Sequence, residues 1–148
     1  MPAPDKFKKA AVVAATKIPI ETLNRWDDRK IVIPDSHERS PGKGHPRSYV
    51  LPVIYRIAIG HALTKLSIAP TTAMALASKF EEPQRGRDMG KVFELGRTLL
   101  VARSDGTGSV VNLQPEDDVG SLLTNNATVI VNINKIIADV NSRIKDCK

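Results

Sequence analysis

The chain has 148 residues, 41% of them apolar, which suffices for one ordinary core or for one small domain with a compact appendage. No stretch approaches the roughly 18 consecutive apolar residues of a membrane helix, and the N-terminus lacks the basic-then-apolar plan of a signal peptide, so a cytoplasmic protein is expected. The single cysteine, Cys147, excludes an intrachain disulfide, and the net charge of +6 is unevenly spread: residues 1–87 hold 15 Lys and Arg against 8 Asp and Glu, residues 88–148 hold 7 against 8.

A basic module joined to a near-neutral one is the charge plan of a polyanion-binding domain followed by a segment with another task. A solvated basic face with no ligand is the plain alternative.

In chain order, residues 7–16 are rich in Ala and Val and predict a first short helix that ends at a polar break. From Ile20 onward, Ile20, Leu23 and Trp26 or Asp27 fall at helical spacing, which turns them inward and leaves Glu21, Thr22, Asn24, Arg25 and Asp28 outside. Two short helices with a tight turn between them have the geometry of a helix-turn-helix. Lys30-Ile31-Val32-Ile33-Pro34 then reads as an extended β-branched run, residues 35–46 as a loop rich in Ser, Pro and Gly, and Arg47-Ser48-Tyr49 as the return of ordered chain. Residues 50–66 carry a helical pattern with Pro52 in the first turn, where its missing N–H costs least. A further helix begins after Ala69 with Pro70 near its start, and Glu81-Glu82-Pro83 stops it.

Thr16-Lys17-Ile18-Pro19-Ile20-Glu21-Thr22-Leu23-Asn24-Arg25-Trp26-Asp27, then Ile31 to Pro34, then Arg47-Ser48-Tyr49, resembles the MerR-type winged helix-turn-helix. That family's pattern runs roughly Thr-Gly-Val-Ser-x-x-Thr-Leu-Arg-Tyr-Tyr-Glu, Gly-Leu-(Leu/Ile)-x-Pro, Arg-x-Tyr, and the resemblance covers about residues 7–80. It implies that the second helix enters the major groove and that residues 31–49 form a wing, with Ile31 to Ile33 as its first strand, residues 35–46 as its tip and residues 47–49 as its return strand. By matching position it makes Thr22, Asn24 and Arg25 the groove readers and Arg47 and Tyr49 the backbone contacts, while Arg39 and Lys43 add charge at the tip. Arg25 has the fork to pair with a guanine and Asn24 the amide to pair with an adenine; an intrahelical pair of Arg25 with Glu21 or Asp28 is the competing role. The chain departs from the pattern at Lys17, where the family has glycine, at Pro19, where it has a capping Ser or Thr, and at Asn24 and Arg25, where it has Arg and an aromatic.

The last third does not resemble the long dimerising helix of the better-known MerR regulators. Residues 98–103 and 109–113 are β-rich runs around Ser104-Asp105-Gly106-Thr107-Gly108, a hairpin signal. Pro115-Glu116-Asp117-Asp118 reads as the acidic first turn of a short helix reaching Leu123, and residues 128–131 as a third strand. Ile133, Ile136, Ile137, Val140 and Ile144 make the stripe of a closing helix, with Asn132 as its cap. The whole is therefore expected to be α+β: a winged helix-turn-helix over residues 1–83, a linker or helix extension over 84–96, and a small β-β-α-β-α unit over 97–148. A unit that small needs a surface to pack on, either the first domain or a second copy, and its terminal stripe is expected either to be the dimer surface or to pack on the unit's own three strands.

Catalysis is not expected. Glu116, Asp117 and Asp118 are adjacent rather than convergent, His37, His45 and His61 lack metal-ligand spacing, and Gly42-Lys43-Gly44 lacks the remainder of a phosphate loop. No cofactor, metal or small-molecule ligand is identifiable. The expected partners are double-stranded DNA and a second copy of the chain, and the expected role is sequence-specific transcriptional regulation in a bacterial cytoplasm. An architectural protein of a phage or mobile element, of the excisionase or packaging-adaptor kind, and a protein-interaction adaptor are the alternatives.

Overall fold

A computed structural model describes residues 6–32 and 48–147. It is mixed α+β, and the described residues form five α-helices and two small antiparallel sheets. No helix among them is long and apolar enough to cross a membrane.

The first sheet joins β1 (Lys6–Lys8) to β2 (Ser48–Val50) in antiparallel register, with Phe7 opposite Tyr49 and both side chains buried. Phe7 was expected to open the first helix. Its alternation with exposed Lys6 and Lys8 instead suits a two-residue period, and the helix, α1 (Lys9–Thr16), begins two residues later. Strand β2 was expected to pair with Ile31 to Ile33. Among the described residues its partner is β1, and Ile31 and Val32 are not in a strand.

What Ile31 does is end a helix. In α2 (Ile20–Asp28) the amide of Ile31 reaches back to the carbonyl of Trp26 at 2.9 Å and that of Lys30 to Asp27 at 3.1 Å, while Lys30 adopts φ 56°. This is the Schellman arrangement, with a left-handed residue just past the helix end and an apolar residue after it. At Ile31 and Val32 capping of the preceding helix overrides the extended preference of β-branched residues, and Ile33 and Pro34 lie outside the described residues.

Helices α3 (Leu51–Thr64) and α4 (Pro70–Ala77) follow as expected, each with proline in its first turn. Ser67 closes α3 by the same device, with φ 67° and an amide bond to Thr64 O at 3.0 Å. A 3-10 turn (Ser78–Glu81) extends α4, and Arg56 of α3 holds Glu81 through a two-pronged contact whose Nε–Oε1 arm is 2.9 Å.

Residues 84–96 were expected to be a linker or a helix extension. They form an ordered loop built around the Arg87 side chain, which is 5% exposed. Its guanidinium donates to the carbonyls of Phe80 at 2.7 Å, Glu82 at 3.0 Å and Lys91 at 3.2 Å and to Gln84 Oε1 at 2.6 Å, and it lies over the Phe80 and Phe93 rings. Gln84 in turn donates to Val110 O at 2.8 Å, so the loop covers one edge of the second sheet.

That sheet has the order β4-β3-β5, all antiparallel, from β3 (Arg97–Arg103), β4 (Gly108–Leu113) and β5 (Thr128–Asn132). The expected hairpin turn is present: Gly106 has φ +88° and Asp105 Oδ1 accepts from the Thr107 amide at 2.9 Å. The acidic run after Pro115 caps turns instead of starting an α-helix. Asp117 accepts from the Gln114 amide and Asp118 from Gly120 N, each at 2.8 Å, before a single 3-10 turn (Val119–Leu122).

Helix α5 (Ile133–Ile144) starts at the expected cap, where Asn132 Oδ1 accepts from Lys135 N at 3.2 Å. Of the two roles expected for its stripe, dimer surface or packing on the unit's own strands, the structure shows an internal one: Ile133, Ile137, Val140 and Ile144 are buried, and α5 packs on β3 and also on α1 and α3. Residues from Phe7 to Ile144 thus share a single hydrophobic cluster, in which Leu100, Ala102, Val110 and Val131 bring the sheet onto the helices. Gly108 permits this closeness, because a Cβ there would lie 2.5 Å from Leu76 Cδ2 of α4.

Candidate nucleic-acid interface

The α1–turn–α2 unit is fixed from inside. Ile18, Leu23 and Trp26 are buried, and Thr16 Oγ1 spans the turn, donating to Val12 O at 2.7 Å and accepting from the Ile18 amide at 3.3 Å. Lys17 stands at the end of α1 with φ 64° and ψ 14°, its amide bonded to Val13 O, so the position where the resembled pattern has glycine does require a left-handed residue. Such a conformation costs a non-glycine residue about 1 kcal/mol. At both Lys17 and Lys30 the side chain is a cation beside a helix C-terminus, where the helix dipole favours positive charge and offsets part of that cost.

Asp27 faces inward. It is 4% exposed, takes an ion pair from Lys9 Nζ at 2.8 Å, and accepts from the Tyr49 hydroxyl at 2.7 Å. Lys9 also donates to Asn24 Oδ1 at 2.7 Å. Helix α1, helix α2 and strand β2 therefore meet at one buried carboxylate, which fixes the roll of α2 about its own axis. Sequence periodicity left Trp26 and Asp27 as alternatives for the inward position. Both are inward, and the missing signal was Tyr49, 22 residues away.

With that roll fixed, Glu21, Asn24, Arg25 and Asp28 form the exposed face of α2. Among the described residues no ion pair engages Arg25, so the expected competition from Glu21 or Asp28 does not take up its guanidinium. Asn24 is exposed, but its carbonyl oxygen is occupied by Lys9, so a two-point contact with a base edge requires Lys9 to let go. Thr22 is half-buried on the flank.

Tyr49 corrects its expected role as a surface contact. It is fully buried with its hydroxyl turned to Asp27, and it orients the exposed face instead of belonging to it. Arg39, Lys43 and Arg47, the expected tip and return-strand cations, lie outside the described residues. Exposed Lys17 adds positive charge at the turn, and exposed Arg29 and Lys30 add it at the C-terminal end of α2.

Among the described residues no group of three or more His, Cys, Asp or Glu side chains is arranged to hold a metal ion. No protein-family model matches the chain, and a search of curated proteins found none significantly similar to it.

Proposed function

We propose that this protein binds double-stranded DNA by inserting α2 into the major groove, and that it acts as a sequence-specific transcriptional regulator of the MerR-like winged helix-turn-helix kind. The observation that carries this is the inward lock of Asp27 by Tyr49 and Lys9, which turns Asn24 and Arg25 outward together on a short helix held by a tight turn. The antiparallel pairing of β1 with β2 lends support, because with Ser48 opposite Lys8 and Tyr49 bonded to Asp27 it ties the start of α1 to the end of α2 and holds the two helices in one orientation. Charge supports it as well, since the excess of cations falls in residues 1–87.

In this proposal Arg25 reads a base edge, Asn24 and Thr22 assist, and Arg39, Lys43 and Arg47 grip phosphates. The protein works in the cytoplasm, has no catalytic role, and binds an inverted repeat as a homodimer, since one such unit buries little DNA surface. Because the α5 stripe is internal, the dimer uses another surface.

The test is selection of bound duplexes from a random-sequence library at about 0.15 M salt, where nonspecific phosphate attraction is partly screened. Enrichment of an inverted repeat is expected. Retention without a consensus would transfer the protein to the architectural class, and no retention even at low salt would overturn DNA binding altogether.

A further inference from the structure

A groove of about 550 Å³ opens where the end of α1, the C-terminal half of α3, strand β5 and helix α5 come together. Its floor is apolar, and the space exists because Ala15, Ala58 and Ala62 are small. Two large apolar side chains at its border remain in water, Leu66 at 59% exposure and Ile130 at 38%.

The charged lining is one-sided. Lys17, Lys65, Lys135 and Arg143 stand against a single carboxylate, Asp139. Lys135 and Asp139 satisfy each other at 3.1 Å, and Arg143 donates to Ala15 O at 3.2 Å. Among the described residues no hydrogen bond or ion pair engages the amines of Lys17 or Lys65. His61, one helical turn before Lys65, also lines the groove; its Nδ1 is shut off from solvent and has no hydrogen-bond partner among the described residues. Burial and the charge of Lys65 hold its pKa below the ordinary histidine value, which keeps the imidazole neutral.

An apolar floor beside amines that lack a counterion is complementary to a molecule with an apolar body and an anionic head. A second copy meeting this groove with its own is the wrong occupant, because like-charged linings would face each other. We propose that the groove is a binding site for an amphipathic organic anion, its head drawn to Lys17 and Lys65 and its body lying over Ala58, Ala62 and Leu66. The site shares Lys17 with the proposed DNA face but does not rest on DNA binding, and it is tested without DNA.

The experiment titrates the full chain with decanoate below its micelle-forming concentration, following backbone amide resonances, with decanol and hexaglutamate as the uncharged and polypeptide probes. Saturable shifts at Lys17, His61, Lys65 and Ile130 are expected, with decanol about tenfold weaker or worse, a difference of ~1.4 kcal/mol. Lys65→Glu should weaken decanoate by a similar factor, and Ala62→Trp should abolish binding by filling the groove while keeping every charge. A urea midpoint for each variant checks the fold; Lys65→Gln replaces Lys65→Glu, and Ala62→Leu replaces Ala62→Trp, if the first choice is unstable. No saturable shift, equal binding of decanol, hexaglutamate binding in place of decanoate, or undiminished binding to a folded Ala62→Trp would each overturn the proposal.

Discussion

The Tyr49 hydroxyl donates to Asp27 Oδ2 at 2.7 Å, joining a strand to a helix through two side chains that are both almost wholly buried. A carboxylate placed there without donors would be costly, and Lys9 on the same oxygen makes the arrangement a three-element junction. Tyr49→Phe keeps the ring and removes one donor. Stability should fall by about 1–2 kcal/mol, read as a lower urea midpoint with an unchanged slope, and DNA affinity should fall as well because the roll of α2 is loosened. An unchanged midpoint would mean that the junction does not hold the helix.

Arg25 is exposed and, among the described residues, free of ion pairs, so its removal separates recognition from folding. Arg25→Ala should leave stability within about 0.5 kcal/mol and weaken binding to a selected duplex by about 1–3 kcal/mol. Binding isotherms on the selected site and on a site altered at one base pair would show whether the loss is confined to one position or spread over all sequences, as a phosphate contact would make it.

Ser67 occupies the left-handed position that ends α3, with φ 67°. Ser67→Gly should stabilise the protein by about 0.5–1 kcal/mol, since glycine meets no steric penalty there. The neutral site is the cleaner test of the principle, because at Lys17 and Lys30 the same substitution also removes a cation from a helix C-terminus.

Arg87 is the internal frame of the segment expected to be a linker or a helix extension. Arg87→Leu preserves much of the apolar stem and strands the carbonyls of Phe80, Glu82 and Lys91, at a cost of about 3 kcal/mol. Because Gln84 depends on the same loop, amide exchange in β4 should accelerate more than in β5. Equal acceleration in both strands would mean that the loop does not cover that edge.

His61 gives the chain an acid sensitivity. Burial and Lys65 lower its folded pKa below the unfolded value of 6.5, so the unfolded state binds the proton first. The stability tied to the neutral imidazole is present above 6.5 and is lost as pH falls toward the depressed folded value. His61→Gln should flatten the decline of the melting temperature below pH 6.5, and a parallel decline in wild type and variant would assign the effect elsewhere.

What was legible in the sequence follows from the range of the physics. Periodicity and local chemistry found α2 through Leu23 and Trp26, α5 through its isoleucine stripe and Asn132 cap, and the 104–108 turn through Asp105 and Gly106, since each of these is decided within a few residues. Long-range partners decided the rest. Phe7 is a strand residue because Tyr49 lies opposite, and the 84–96 segment is ordered because one guanidinium collects carbonyls that carry no sequence signature. At the candidate site, the exposure of Asn24 and Arg25 was readable from helical spacing, whereas the burial of Tyr49 and the hold of Lys9 on Asn24 were not, because each rests on a partner at least 15 positions distant.

The packing of α5 across α1 brings the chain's last helix against its first, with Arg143 on the carbonyl of Ala15. During synthesis, then, α1 leaves the ribosome early but lacks its α5 partner until that helix has emerged, so the packing of α1 waits on residues more than a hundred positions later, and truncation within α5 would be felt at α1.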